Sequence, residues 1–181
     1  NLNVVSTAEG GANIVQRGLV FCFDPANNKS FVVGSTTAND LKNNTLLTFK
    51  NKQYFGGTGD ILTTIVPTYD TNNKGSIYFN GVNALSGDAI YLPTGDTSTN
   101  INTYVTLSVW FKKTSYPTWV ECPAAKGTNP GSQAFTFYLL STSIYARLTT
   151  STLNGFTDIS TTYNTNVWNN AVLTYDGSNM K

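Results

Sequence analysis

Tyr104-Val-Thr-Leu-Ser-Val-Trp-Phe-Lys112 decides the fold class of this chain. Val105, Leu107, Val109 and Phe111 fall on one face, while Thr106 and Ser108 share the other with Tyr104 and Trp110. A period of two filled by β-branched and aromatic residues is the mark of a strand with one face on a core. A helix would need its apolar residues three and four apart.

Outward from this strand the chain supplies more of the same. Ahead of it, strand patterns are expected at Leu19 to Asp24, Leu46 to Phe49, Ile61 to Val66, Ser76 to Phe79 and Ala89 to Leu92. Pro25 and Pro93 end the first and last of these, because proline cannot donate to a ladder. Asn80-Gly81 has the form of a tight hairpin turn. Residues 27 to 44 read as a polar, turn-rich loop, and Asn1 to Arg17 as a polar linker or attachment arm, so the folded domain is expected to run from 18 to 181.

After it, Thr114 to Glu121 and then Pro123 to Gly131 read as loops, the first holding Tyr116, Pro117 and Trp119. Ala134 to Leu140 and Ile144 to Thr149 read as paired strands, followed by Phe156 to Ser160 and Val167 to Tyr175. Asp176-Gly177 is a hairpin signal, but the four residues that follow are too few for a returning strand. Either the natural chain continues into further C-terminal strands, which is the favoured reading, or another chain fills the gap. Asn1 in place of Met likewise points to an upstream part that was removed or lies outside it.

Composition narrows the function classes. Apolar residues make up 40% of the 181, enough for a packed core, whereas charged residues make up 12%, about half the usual share of about 25%. The surface is solvated mainly by Thr, Ser, Asn and Gly. Net charge is +1 and no basic run exceeds Lys112-Lys113, so there is no stripe for a nucleic-acid backbone. No apolar run approaches the roughly 20 residues of a membrane helix, and the N-terminus lacks the layout of a signal peptide. Cys22 and Cys122 share no metal-type spacing. A disulfide between them stays open, with a small buried thiol the plainer reading for Cys22.

Four blocks then stand in order: Gly18-Leu-Val-Phe-Cys-Phe-Asp-Pro-Ala-Asn27, Ser76-Ile-Tyr-Phe-Asn-Gly-Val-Asn83, Thr106-Leu-Ser-Val-Trp-Phe-Lys112 and Trp168-Asn-Asn-Ala-Val-Leu-Thr-Tyr-Asp-Gly177. Together they resemble the concanavalin A-like, laminin-G-like jelly-roll family, and the first is similar to domains of bacteriophage structural proteins. The resemblance covers Gly18 to the end. It implies an all-β, antiparallel two-sheet jelly-roll sandwich that binds glycans or packs against other proteins. Family members continue past the last block into a strand that this sequence lacks.

Chemistry is sparse. Glycosidases of that superfamily carry their acids two residues apart on one strand, as Glu-x-Asp-x-Glu or a close relative, whereas the only glutamates of this chain are Glu9 and Glu121, and Glu121 has no acid two residues away. There is no histidine, which removes the commonest general base and metal ligand together. An enzyme is not expected. A calcium site is weakened because acids in the family's second block are replaced here by Asn80, Asn83 and Ala84. Asp88 and Asp96 flank the next strand as remaining metal candidates, with solvated loop acids the plainer reading, and no cofactor is expected.

A glycan platform needs an aromatic face beside amides and hydroxyls. Tyr116, Trp119, Lys126 and Asn129 form the best such set, against the plainer reading that Trp119 caps the core. Trp110 falls on the face opposite the Val105 to Phe111 row, where it would sit under a loop or at a partner, and core packing is the plainer reading for it and for Trp168. The expected role is a non-enzymatic structural or adhesion domain of a virion, in repeated copies or as a homo-oligomer, contacting other virion proteins and host-surface polysaccharide. The alternative is a carbohydrate-binding module of an extracellular or cell-surface bacterial protein, and a degraded glycosidase ranks last.

Overall fold

The computed structural model describes residues 18–53, 68–71, 75–79, 86–92, 104–117, 121–126, 134–149 and 156–181. Among them there is no α-helix, and every strand pairing is antiparallel. The chain is all-β, in keeping with a β-sandwich, and divides into two compact units, Asn1–Ser98 and Thr99–Lys181. No helix of the described residues is long and apolar enough to cross a membrane.

In the first unit, β1 (Thr37–Asn39), β2 (Leu46–Gln53) and β5 (Ser86–Tyr91) form a sheet in the order β1-β2-β5, and β3 (Thr68–Asp70) pairs with β4 (Ser76–Tyr78). Its core is Phe31, Ala38, Leu47 and Phe49, joined by Phe21, Phe23, Tyr69, Ile77, Ile90 and Leu92. Phe31 stacks between Phe49 at 5.3 Å and Tyr69 at 5.7 Å. Gly75 has φ +108, and a Cβ there would run into the backbone of Ala26, so only glycine fits this approach.

Residues 19 to 24 do not form the expected strand, although Phe21 and Phe23 reach the core as the alternation requires. The backbone of this segment is bonded to a loop instead of a ladder. Cys22 N–H donates to Asp40 Oδ1 at 2.7 Å, Leu41 N–H donates to the Cys22 carbonyl, and Asn43 Nδ2 donates to the Val20 carbonyl. The loop expected over 27 to 44 contains β1, which pairs with β2 from Thr37 opposite Thr48 to Asn39 opposite Leu46. The expected strand 61 to 66 and the Asn80-Gly81 turn lie outside the described residues.

In the second unit, β6 (Val105–Phe111) pairs with β11 (Asn169–Tyr175), while β7 (Glu121–Lys126), β8 (Ala134–Leu140), β9 (Ser143–Thr149) and β10 (Phe156–Thr162) make a sheet in the order β10-β9-β8-β7. Both sheets contribute to one core. Phe137, Leu139, Ile144 and Ala146 come from β8 and β9, Leu173 comes from β11, and Leu107, Val109, Phe111 and Ala171 pack against them. The β6 row read from the sequence as core-facing therefore faces the core, and burial alternates along the whole strand.

β7 corrects the loop expected from residue 123. Pro123 falls where the register slips between Glu121 and Ala124, on the outer strand of its sheet. A bulge on an outer strand is where a proline does least harm to a ladder. The β8–β9 turn holds Ser141 at φ 51. After β11, Gly177 takes φ 91, and Asp176 Oδ1 accepts N–H bonds from Ser178 and Asn179. Short as the remainder is, it begins the return: Thr174 and Lys181 exchange backbone hydrogen bonds at 3.0 Å, and Tyr175 bridges to Met180.

Candidate recognition surfaces

Strand alternation gives each sheet of the second unit an outward row, and two of these rows carry aromatic side chains. On the four-stranded sheet, Tyr138 of β8 lies opposite Tyr145 of β9, and Arg147 of β9 lies opposite Asp158 of β10. The two tyrosine rings stack at 4.8 Å with planes 4° apart. Arg147 donates from Nε and Nη2 to the two oxygens of Asp158, each at 2.8 Å, and its guanidinium sits 5.3 Å from the centre of the Tyr138 ring. Tyr138 O–H donates to Asp158 Oδ2 at 3.1 Å.

The electrostatics of this cluster follow from those contacts. The Arg147 hydrogen bonds hold the Asp158 carboxyl below its ordinary range, and Asp158 in turn raises Arg147. Desolvation, with the Asp158 charge second, pushes Tyr138 up. The polar atoms of the cluster largely spend themselves on one another. It clamps three strands together more than it offers free groups to a ligand.

The outward row of β6 and β11 is different in kind. Trp110 is 66% exposed and Tyr104 is 73% exposed, with Val172 and Trp168 also exposed. Trp110 lies opposite Asn170, Ser108 opposite Val172, and Thr106 opposite Thr174. Asn170 Nδ2 donates to Ser108 Oγ at 3.1 Å and to the Val109 carbonyl at 3.3 Å. Among the described residues, the Asn170 amide oxygen and the Ser108 hydroxyl proton have no partner. No outward position from Tyr104 to Trp110, or from Trp168 to Thr174, carries a charge.

Trp110 and Trp168 therefore do not pack in the core. Period two assigns Trp110 to the face away from the core, and no described layer covers that face. Exposure, unlike facing, depends on what lies above a sheet, so sequence periodicity gives no sign of it.

Of the residues expected to form a glycan platform, Tyr116 and Lys126 are among the described residues and Trp119 and Asn129 lie outside them. Tyr116 packs edge-on against buried Tyr163 at 5.5 Å, and its hydroxyl donates to the Tyr163 carbonyl at 3.5 Å. Tyr163 continues edge-on to Phe111 at 5.4 Å. Tyr116 thus caps the end of the core while keeping 44% exposure. Lys126 is half-buried at the end of β7, on a strand and not in the expected loop. Asp88 sits within β5 opposite Asn51, so it occupies a strand position and not a loop, and Asp96 lies outside the described residues. Among the described residues, no group of three His, Cys, Asp or Glu stands together to hold a metal ion.

Three further acids among the described residues have structural partners. Asp40 is buried and accepts three backbone N–H bonds, from Cys22, Lys42 and Asn43. Glu121 pairs with Lys113 at 2.7 Å. The N–H groups of Asn179 and Ser178 hold the Asp176 carboxyl below its ordinary range. Cys22 and Cys122 are free thiols, and burial together with Asp24 and Asp40 raises Cys22.

Comparison with protein-family models, with curated proteins and with solved structures finds no match.

Proposed function

We propose that this chain is a non-enzymatic structural or adhesion domain of a virus particle, with concanavalin A-like jelly-roll connectivity, that binds neighbouring particle proteins and surface glycans. The observation that carries this reading is the outward row of β6 and β11, an exposed aromatic strip set among hydroxyl and amide groups with no charge on it. Such a surface suits recognition by shape and hydrogen bonding. Acid–base chemistry would need titratable groups that are free to exchange protons. Here histidine is absent from the sequence, and Asp40, Glu121, Asp158 and Asp176 are each bound up in turns or ion pairs.

The four ordered sequence blocks and the antiparallel layers support the jelly-roll part of the reading. The exposed indole of Trp110 also favours a second reading, a carbohydrate-binding module of a secreted or cell-surface bacterial protein. Quantitative mass spectrometry of purified particles and of the secreted fraction from the same culture separates the two. Peptides of this chain in a fixed ratio to the major particle proteins are expected. Their absence from particles and recovery in the secreted fraction would overturn the first reading in favour of the second, and turnover of a glycan by the chain would overturn both.

A further inference from the structure

We propose that the outward strip of β6 and β11 binds a neutral polysaccharide chain, with a sugar ring stacked on the Trp110 indole and its hydroxyls bonded by Asn170 and Ser108. The proposal rests on the reading of this chain as a recognition domain and names the ligand class and the site.

Three observations converge on it. The first is geometry: seven paired residues give a strip about 23 Å long and, with two strands, roughly 10 Å wide. An extended sugar polymer matches this length and width.

The second observation is charge. The outward positions between Tyr104 and Trp110 and between Trp168 and Thr174 are uncharged; Lys112 follows at one end, and Asp176 and Lys181, which exchanges backbone hydrogen bonds with Thr174, stand at the other. An anionic or cationic polymer would lay repeated charges of one sign along a strip whose middle offers no counter-ion. A neutral polymer has no such conflict.

The third is the inventory of hydrogen-bonding groups beside the ring. Trp110 lies directly opposite Asn170, whose amide N–H group is anchored on Ser108 Oγ and the Val109 carbonyl. Anchoring orients the amide, so its unpaired oxygen and the Ser108 hydroxyl stand on the same outward row as Trp110 before any ligand arrives. Thr106 and Thr174 add a facing pair of hydroxyl side chains further along the strip. A pyranose presents C–H groups on its faces and hydroxyls at its rim, the same division of apolar face and polar edge.

Affinity electrophoresis in gels cast with dextran, mannan, galactan or a soluble β-glucan tests this, with polygalacturonate and hyaluronate as anionic controls. We expect at least one neutral polymer to retard the chain and the anionic polymers not to. Trp110→Ala should weaken that retardation roughly tenfold, the usual scale for removing a central Trp contact, with far-UV circular dichroism unchanged because the side chain is 66% exposed. Trp110→Phe should keep part of the affinity and carries the test if the alanine variant misfolds, and Asn170→Ala should weaken binding on an intact indole.

Retardation by no neutral polymer, preference for an anionic one, or wild-type binding by both Trp110 variants would overturn the proposal. So would self-association, seen by sedimentation, that the Trp110 variants abolish while no polymer binds. Failure here leaves the particle measurement untouched, and failure there leaves this one untouched.

Discussion

A carboxylate that is 1% exposed must recover its lost hydration from fixed donors, and Asp40 does so with the N–H groups of Cys22, Lys42 and Asn43. Two of those donors close its own turn and the third belongs to the segment that carries Phe21 and Phe23 into the first core. Asp40→Ala strands all three donors, so we expect a loss of about 2–4 kcal/mol in chemical denaturation, more than a surface substitution costs. The sequence places Asp40 with Leu41, Asn43 and Asn44 in a tight loop but does not mark it as buried, because one Asp in a polar loop looks the same whether it is solvated or buried. The same absence of signal hid the Arg147–Asp158 clamp, whose partners are eleven residues apart in sequence and adjacent only once β9 and β10 pair.

That clamp carries a pH dependence with a definite sign. Asp158 is lowered in the folded chain, chiefly by its hydrogen bonds from Arg147. Its contribution is therefore present above the ordinary carboxylate range and is lost as pH falls through the lower folded value. Both side chains are partly solvated, so a double-mutant cycle with Arg147→Ala and Asp158→Ala at neutral pH should give a coupling of about 0.5–1 kcal/mol. Denaturation of the wild type and Asp158→Asn should differ by a similar margin near neutrality, and the curves should converge below about pH 4. A difference that persists undiminished into acid would mean that the carboxylate charge is not what holds the strands.

At the scale of the element, β11 puts the two faces of one strand side by side. Leu173 is fully buried against the shared core, while its neighbour Val172 is 51% exposed. Leu173→Ala should cost about 2–5 kcal/mol through lost burial and the cavity left behind, and Val172→Ala within roughly 0.5 kcal/mol. Comparable losses at both positions in urea denaturation would show that the outward face is covered. The strands β6, β8, β9 and β11 were legible because alternation and turn residues agree there. The 19–24 segment misled because it alternates like a strand while its donors and acceptors go to Asp40 and the loop around it. β7 escaped notice because Pro123 and two alanines read as a breaker and a weak strand former, and only a bulge on an outer strand reconciles them with a ladder.

At the scale of the whole molecule, the low charged content recognised in the composition becomes a specific surface. With 12% charged residues, and several of these engaged in clamps and turns, the outward β6–β11 row is left to Trp, Tyr, Val, Thr, Ser and Asn. An aromatic platform among amides and hydroxyls is expected from the sequence around Tyr116 and Trp119, and the open row at Trp110 is a second surface of that kind. Trp119 lies in a stretch whose sequence reads as a loop and is outside the described residues, whereas the strand period puts Trp110 on the outward face without showing that the face is open. Which strand faces stay open is a property of layers, and layers are set by contacts far apart in sequence.

Recognition through that open row is the centre of this reading, and hydroxyl-radical footprinting read by mass spectrometry tests it most directly. In the free chain, Trp110 and Tyr104 should oxidise many times faster than buried Tyr163 and Tyr175, and after saturation with a retarding neutral polysaccharide Trp110 should become protected while Tyr116 does not. Slow oxidation of Trp110 in the free chain, or equal rates with and without the bound polymer, would contradict it.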